Sequence, residues 1–88
     1  MIAPWGDEPL YEWDAKNESH IWNKHRVSVF DVEEVFESAY TVAPHPDKPG
    51  RFVVNGFTKG LRDLEVIVRH KGGSLIRVIT AYGPGEGD

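Results

Sequence analysis

The sequence predicts an α+β fold of two layers, with two N-terminal helices packed on one face of an antiparallel sheet of three to four strands. Three observations carry that expectation. Val32, Val35, Phe36, Ala39 and Tyr40 recur at spacings of three and four, which makes one buried helical stripe. Residues 51–58, 63–70 and 74–82 are β-rich and are joined by Lys59-Gly60 and Lys71-Gly72-Gly73, connections short enough to imply antiparallel hairpins. The chain of 88 residues has no Cys, so it has room for one domain and no disulfide framework to hold it.

The elements follow in order. Residues 1–9 are rich in Pro and Gly and read as a flexible arm. Residues 10–13 are a candidate short strand. Asp14 is then a good N-cap for a helix reaching His25, because its carboxylate accepts orphan backbone N–H groups; Asn17, three residues on, echoes a capping box. On that helix Ile21, Trp22 and His25 lie near one face, while Lys16, His20 and Lys24 share a stripe at i, i+4 and i+8. Ser28 opens a second helix in the pattern Ser-x-x-Asp, and Asp31, Glu33 and Glu34 sit in its early turns, where the dipole favours anions. Pro44, Pro46, Pro49 and Gly50 make a loop that neither a helix nor a central strand crosses. After the last strand, residues 83–88 form an acidic, Gly-rich tail, which leaves 10–82 as the domain.

In such a sheet one face is covered and the other is open. Leu64, Val66 and Val68 alternate with Glu65, Ile67 and Arg69. In the last segment Ile76, Val78 and Thr80 share a side opposite Leu75, Arg77, Ile79 and Ala81. The sides bearing Arg69 and Arg77 are expected to be open, with Arg51, Val53 and Asn55 joining them where the register permits.

The net charge of -4 belongs to the two ends, through Asp7, Glu8, Glu86 and Asp88, so the body is neutral. Within it the charge is segregated. Residues 27–47 carry five acids and no Lys or Arg; residues 48–82 carry seven bases against Asp63 and Glu65. A basic surface on an acidic protein is therefore available, although solvated charge on a helix and a sheet explains the pattern equally well.

Several chemistries are disfavoured. No apolar run approaches the ~20 residues of a membrane span, and the N-terminus lacks the basic and apolar regions of a secretory signal, so a small cytoplasmic domain is expected. His20 and His25 are five apart, not the i, i+4 that aims two ligands at one ion, so neither a metal nor another cofactor is expected. The Gly-rich stretches lack the Lys and the strand–loop–helix setting of a phosphate cradle, and no Ser sits in a Gly-flanked nucleophile turn.

A cationic set remains: Lys16, His20, Lys24, His25 and Arg26 around the first helix, and Arg51, Arg69 and Arg77 on strands. Arg presents a planar fork to phosphate oxygens, and Lys or His beside a scissile bond can move protons or offset charge. RNA brings its own nucleophile, the 2'-OH, so such a site needs none from the protein. Each residue also has a plainer explanation: His25 as a dipole partner at a helix end, Lys24 as a solvated side chain, Arg77 as a partner of Glu65.

The run Trp13-Asp14-Ala15-Lys16-Asn17 followed by His20-Ile21-Trp22-Asn23-Lys24-His25-Arg26-Val27-Ser28 resembles the opening of BrnT-like toxins of bacterial type II toxin–antitoxin systems, roughly W-D-x-x-K-x-x-x-N-x-x-K-H-G-V-S. The likeness continues through Glu33-Glu34-Val35-Phe36, Arg51-Phe52, Gly56, Leu64-x-Val66-x-Val68 and Arg77-Val78-Ile79-Thr80-Ala81. It implies a RelE-like fold, metal-independent RNA cleavage that inhibits translation, and neutralisation by a cognate DNA-binding antitoxin, through which the toxin can oligomerise. By position it matches Lys24, His25, Arg51 and Arg77 to family residues; with the cationic set this makes Lys24, His25 and Arg77 the expected catalytic residues, and Lys16, His20, Arg51 and Arg69 the expected RNA-binding ones, with Tyr82 standing in for a lost Arg. Two positions depart from the pattern, since Phe57 and Tyr82 stand where relatives carry Arg, and the final GPGEGD replaces a basic helix. The alternative implied by those departures is a catalytically degenerate interaction module that binds a partner protein without cutting RNA.

Overall fold

The computed structural model describes residues 2–87, so Met1 and Asp88, the outermost residues of the expected arm and tail, lie outside the described residues. Seven elements run β1 (Leu10–Glu12), α1 (Ala15–His25), α2 (Val29–Glu37), β2 (Thr41–Pro44), β3 (Arg51–Phe57), β4 (Asp63–Gly72) and β5 (Leu75–Tyr82). Both helices start where the caps predict. Asp14 Oδ1 accepts from Asn17 N–H at 3.0 Å while Asn17 Oδ1 accepts from Asp14 N–H at 2.8 Å. Ser28 and Asp31 make the same reciprocal pair at 3.0 and 2.9 Å. α1 ends on Arg26 in the left-handed region (φ 53, ψ 42), and the Arg62 guanidinium donates to the freed carbonyls of Arg26 (2.9 Å) and His25 (3.1 Å).

The second helix is shorter than its apolar stripe. It stops at Glu37, Ser38 Oγ donates back to Val35 O at 2.6 Å, and the chain re-enters the sheet as β2. β2 ends in Pro44, which an edge strand tolerates because one side of it needs no donor.

The strand order is β1-β5-β4-β3-β2. The four later strands pair antiparallel, and β1 lies parallel to β5 through Leu10–Leu75, Tyr11–Ile76 and Glu12–Arg77. The sheet is therefore five-stranded and mixed, where three or four antiparallel strands were expected. The helical crossover carries the chain from β1 to the opposite edge, and that direction of return makes β1 parallel.

The core lies between the helices and one sheet face. Val32, Val35 and Phe36 of α2 and Ile21 of α1 meet Val54, Val66, Val68 and Val78. α2 comes so close to β3 that a Cβ on Gly56 would sit 2.7 Å from Ser38 Oγ and 2.9 Å from Val35 Cγ1. The N-terminal segment reaches this core too. Trp5 is 1% exposed, meets Phe36 and Phe52 edge-on at centroid distances of 5.9 and 5.8 Å, and donates its indole N–H to Tyr40 Oη at 3.3 Å.

One irregularity redirects side chains on β5. Val68 pairs with Val78 but Ile67 pairs with Thr80, so Ile79 is an inserted, bulged residue. Strict alternation puts Thr80 in the core; after the bulge Ala81 takes that place, opposite Val66. Thr80 and Tyr82 turn instead toward the open face, with Ile67 and Glu65. Among the described residues no helix is long and apolar enough to cross a membrane.

Candidate functional site at the α1–β5 seam

β1 covers only the first three residues of β5, so the rest of that edge must satisfy its backbone elsewhere. Asn17 does so. Its buried amide donates to Glu12 O at 2.9 Å and Val78 O at 3.0 Å, clamping α1 along the β5 edge. One turn further on, His20 Nε2 lies 3.2 Å from Thr80 Oγ1. At the end of the helix the His25 ring lies 5.6 Å from the Tyr82 ring and 6.1 Å from that of His20.

Lys16, His20 and Arg77, with Asn17, Val78 and Ile79, line a cavity of about 270 Å³. Arg77 donates to Glu12 Oε1 at 3.1 Å and Asp14 Oδ2 at 2.9 Å. That guanidinium, with help from the Asn17 N–H, holds the Asp14 carboxyl below the usual carboxylate range, and Asp14 in turn raises Arg77. Glu65, the partner expected for Arg77, instead accepts the hydroxyl proton of Tyr82.

The register brings the three strand arginines into one line. Arg51 pairs with Arg69, and Arg69 with Arg77. Neighbouring strands are ~4.8 Å apart, and like charges facing one another across a ladder are destabilising. A polyanion laid across the strands would offset that repulsion. Arg69 is exposed, and Arg51 and Arg77 are half-buried.

The remaining expected site residues lie elsewhere. His25 is 6% exposed, covered on one side by Tyr82, and its Nδ1 is 3.8 Å from Glu86 Oε2. Glu86 is held there because its other oxygen accepts from Gly83 N–H at 2.6 Å. Lys24 is exposed and does not line the cavity of Lys16, His20 and Arg77. Tyr82 and Phe57 line a second, larger cleft of about 610 Å³ at the other end of the open face, with Asn55 and Glu65.

Glu12, Asp14 and Glu86 were not singled out from sequence as site residues. Asp14 was legible as a cap, but nothing local ties it to an arginine 63 positions away. The clamp by Asn17 was equally hidden, since its bond to Val78 spans 61 positions.

No protein-family model matches the sequence, and no curated protein matches it. The structure is similar to the crystal structure of the Brucella abortus ribonuclease toxin BrnT, with a TM-score of 0.68 and 21% sequence identity over 89% of this chain and 96% of that one. A likeness that covers nearly all of both chains at that identity is one of fold, and the chain therefore has a BrnT-like fold.

Proposed function

We propose that the protein is a metal-independent ribonuclease toxin of a type II toxin–antitoxin system, acting in the bacterial cytoplasm and held inactive by a cognate DNA-binding antitoxin. The observation that carries this reading is the Arg51–Arg69–Arg77 line ending at the cavity of Lys16 and His20. In this mechanism the arginines hold consecutive phosphates of an RNA strand, and the substrate's 2'-OH attacks the adjacent phosphorus. The P–O5' bond breaks, leaving a 2',3'-cyclic phosphate and a 5'-hydroxyl. His20, which faces the cavity, takes the 2'-OH proton, and Lys16 and Arg77 offset the charge that gathers on the phosphate oxygens. Lys24 and His25, the pair named by the sequence resemblance, act at the leaving 5'-oxygen once Glu86 has moved aside, with protonated His25 giving that oxygen the proton that makes it a hydroxyl and Lys24 offsetting its charge.

The test is incubation with a long structured RNA beside two controls, the Lys24→Ala/Arg77→Ala variant and an all-2'-deoxy substrate. Cleavage by the wild type alone, giving cyclic-phosphate ends and sparing the deoxy substrate, is the expected result. Cleavage that persists in the double variant overturns the residue assignment; cleavage of the deoxy strand overturns the 2'-OH mechanism.

A second reading has its own observation. Arg77 is already paired with two carboxylates and His25 already lies against a third, which suits an interaction module that binds a partner without cutting RNA. A folded wild type that cleaves nothing, yet captures a neighbouring antitoxin-like protein, selects that reading.

A further inference from the structure

Behind the arginine line the open face carries a second row, and its chemistry differs. Thr41, Asn55, Glu65 and Tyr82 stand in register across β2, β3, β4 and β5. Asn and Glu are poor choices for the middle strands of a sheet, so their side chains need a reason to be there. Both line the 610 Å³ cleft. The Asn55 amide makes no hydrogen bond with another described residue, and it is exposed. Glu65 accepts the Tyr82 hydroxyl on one carboxylate oxygen, which keeps a second lone pair, and its other oxygen has no hydrogen bond with another described residue. Phe57, next outward-facing residue on β3 and 38% exposed, supplies a flat apolar wall, and Pro84 and Gly85 of the tail close the far side.

An aromatic wall with a carboxylate and an amide side by side fits a planar base, not a phosphate. A carboxylate repels phosphate and accepts from neighbouring N–H donors, and an amide N–H₂ donates to a carbonyl. Among the RNA bases only guanine offers two adjacent donors, N1–H and the 2-amino group, with a carbonyl, O6, next to them. We infer that this cleft is a guanine-base pocket, in which Glu65 accepts from N1–H and the 2-amino group, Asn55 donates to O6, and Phe57 stacks on the ring. The inference deepens the ribonuclease reading, because Glu65 and Arg69 are four residues apart on β4, ~13 Å, so one oligonucleotide can engage pocket and arginines together. Tyr82 orients Glu65 and is a positioning residue.

The experiment is an NMR titration of the full chain with guanosine, inosine, adenosine, cytidine and uridine, beside fluorescence anisotropy with a uridine 12-mer. Guanosine is expected to bind about tenfold more tightly than adenosine, with inosine, which lacks the 2-amino donor, between them. Its shifts should centre on the Asn55 side-chain amide and the Phe57 ring. Glu65→Gln, which keeps an acceptor for Tyr82, and Asn55→Ala should each bring guanosine down to the level of adenosine. Equal binding of the nucleosides, no binding, or a preference unmoved in both variants overturns the pocket. The uridine 12-mer reports on the arginine line alone. If it binds and Arg51→Ala/Arg69→Ala releases it, the RNA reading stands whatever the nucleosides show; if it does not bind, that reading fails while a guanosine preference still establishes the pocket.

Discussion

The two helices have similar lengths and both open on a capping box, yet they bury different chemistry. α2 buries Val32, Val35 and Phe36; α1 buries Asn17, Ile21 and His25. On the α2 side the sheet meets apolar side chains and glycine, and stability comes from excluded water and close packing. On the α1 side it meets an amide that clamps a strand edge, two imidazoles and an arginine held by two carboxylates. The two helices therefore hold the sheet in different ways: α2 by apolar packing alone, α1 by packing through Ile21 and by the polar groups of Asn17 and His25.

The largest effect expected from breaking this comparison is on the packed side. Trp5 joins the arm to α2 and β3, so Trp5→Ala leaves a cavity at the centre of the aromatic cluster. Loss of about 3–5 kcal/mol is expected, measured by urea unfolding at neutral pH. That is a large share of the roughly 5–15 kcal/mol typical of a folded domain. A loss below 1 kcal/mol, by the same rule of thumb, would mean that the N-terminal segment is not part of the core.

The same contrast explains how much of the molecule was legible in its sequence. The Val32-Val35-Phe36 stripe, the two capping pairs and the Gly-marked hairpins are local, and each falls at the expected place. Hydrophobic period says nothing about where a polar helix docks, so the α1 seam could be named as a set of residues but not assembled. The open face of Arg51, Arg69 and Arg77 was legible because alternation is local to each strand; their alignment was not, because register is set by long-range pairing. β2 was hidden by Pro44 at its end and the prolines of the loop that follows, and the face of Thr80 by one bulged residue. Trp5 docks through contacts with residues 31, 35 and 47 positions away, which no window of sequence displays.

On the polar side the comparison is sharpened by Asn17→Ala. The substitution removes both bonds of the clamp and leaves the Val78 carbonyl buried without its side-chain donor. A cost of about 1–3 kcal/mol is expected, smaller than that of Trp5→Ala. Its signature should differ as well. Hydrogen exchange should quicken along α1 and the stretch of β5 that β1 does not cover while α2 and β3 keep their protection, because the seam opens before the core does. Uniform loss of protection would show that both sides unfold as one unit.

The smallest effect concerns charge. Asp14 is an exposed carboxylate held below its ordinary range first by the hydrogen bond from Arg77 and then by the Asn17 N–H. A carboxylate whose folded value is depressed stabilises the fold above its unfolded value, roughly 3.9, and that contribution is lost as pH falls through the folded value. Unfolding measured from pH 5 downward should therefore show a slope in the wild type that Arg77→Ala reduces, and solvent exposure keeps the difference small. The direct readout is the Asp14 carboxyl resonance, whose midpoint should rise toward the ordinary Asp value in Arg77→Ala and stop short of it, because the capping N–H of Asn17 remains. A midpoint that does not move would place the guanidinium away from Asp14. Arg77 would then be available to phosphate at no electrostatic cost, and the seam would differ from the α2 side in composition alone, not in being joined through its charges.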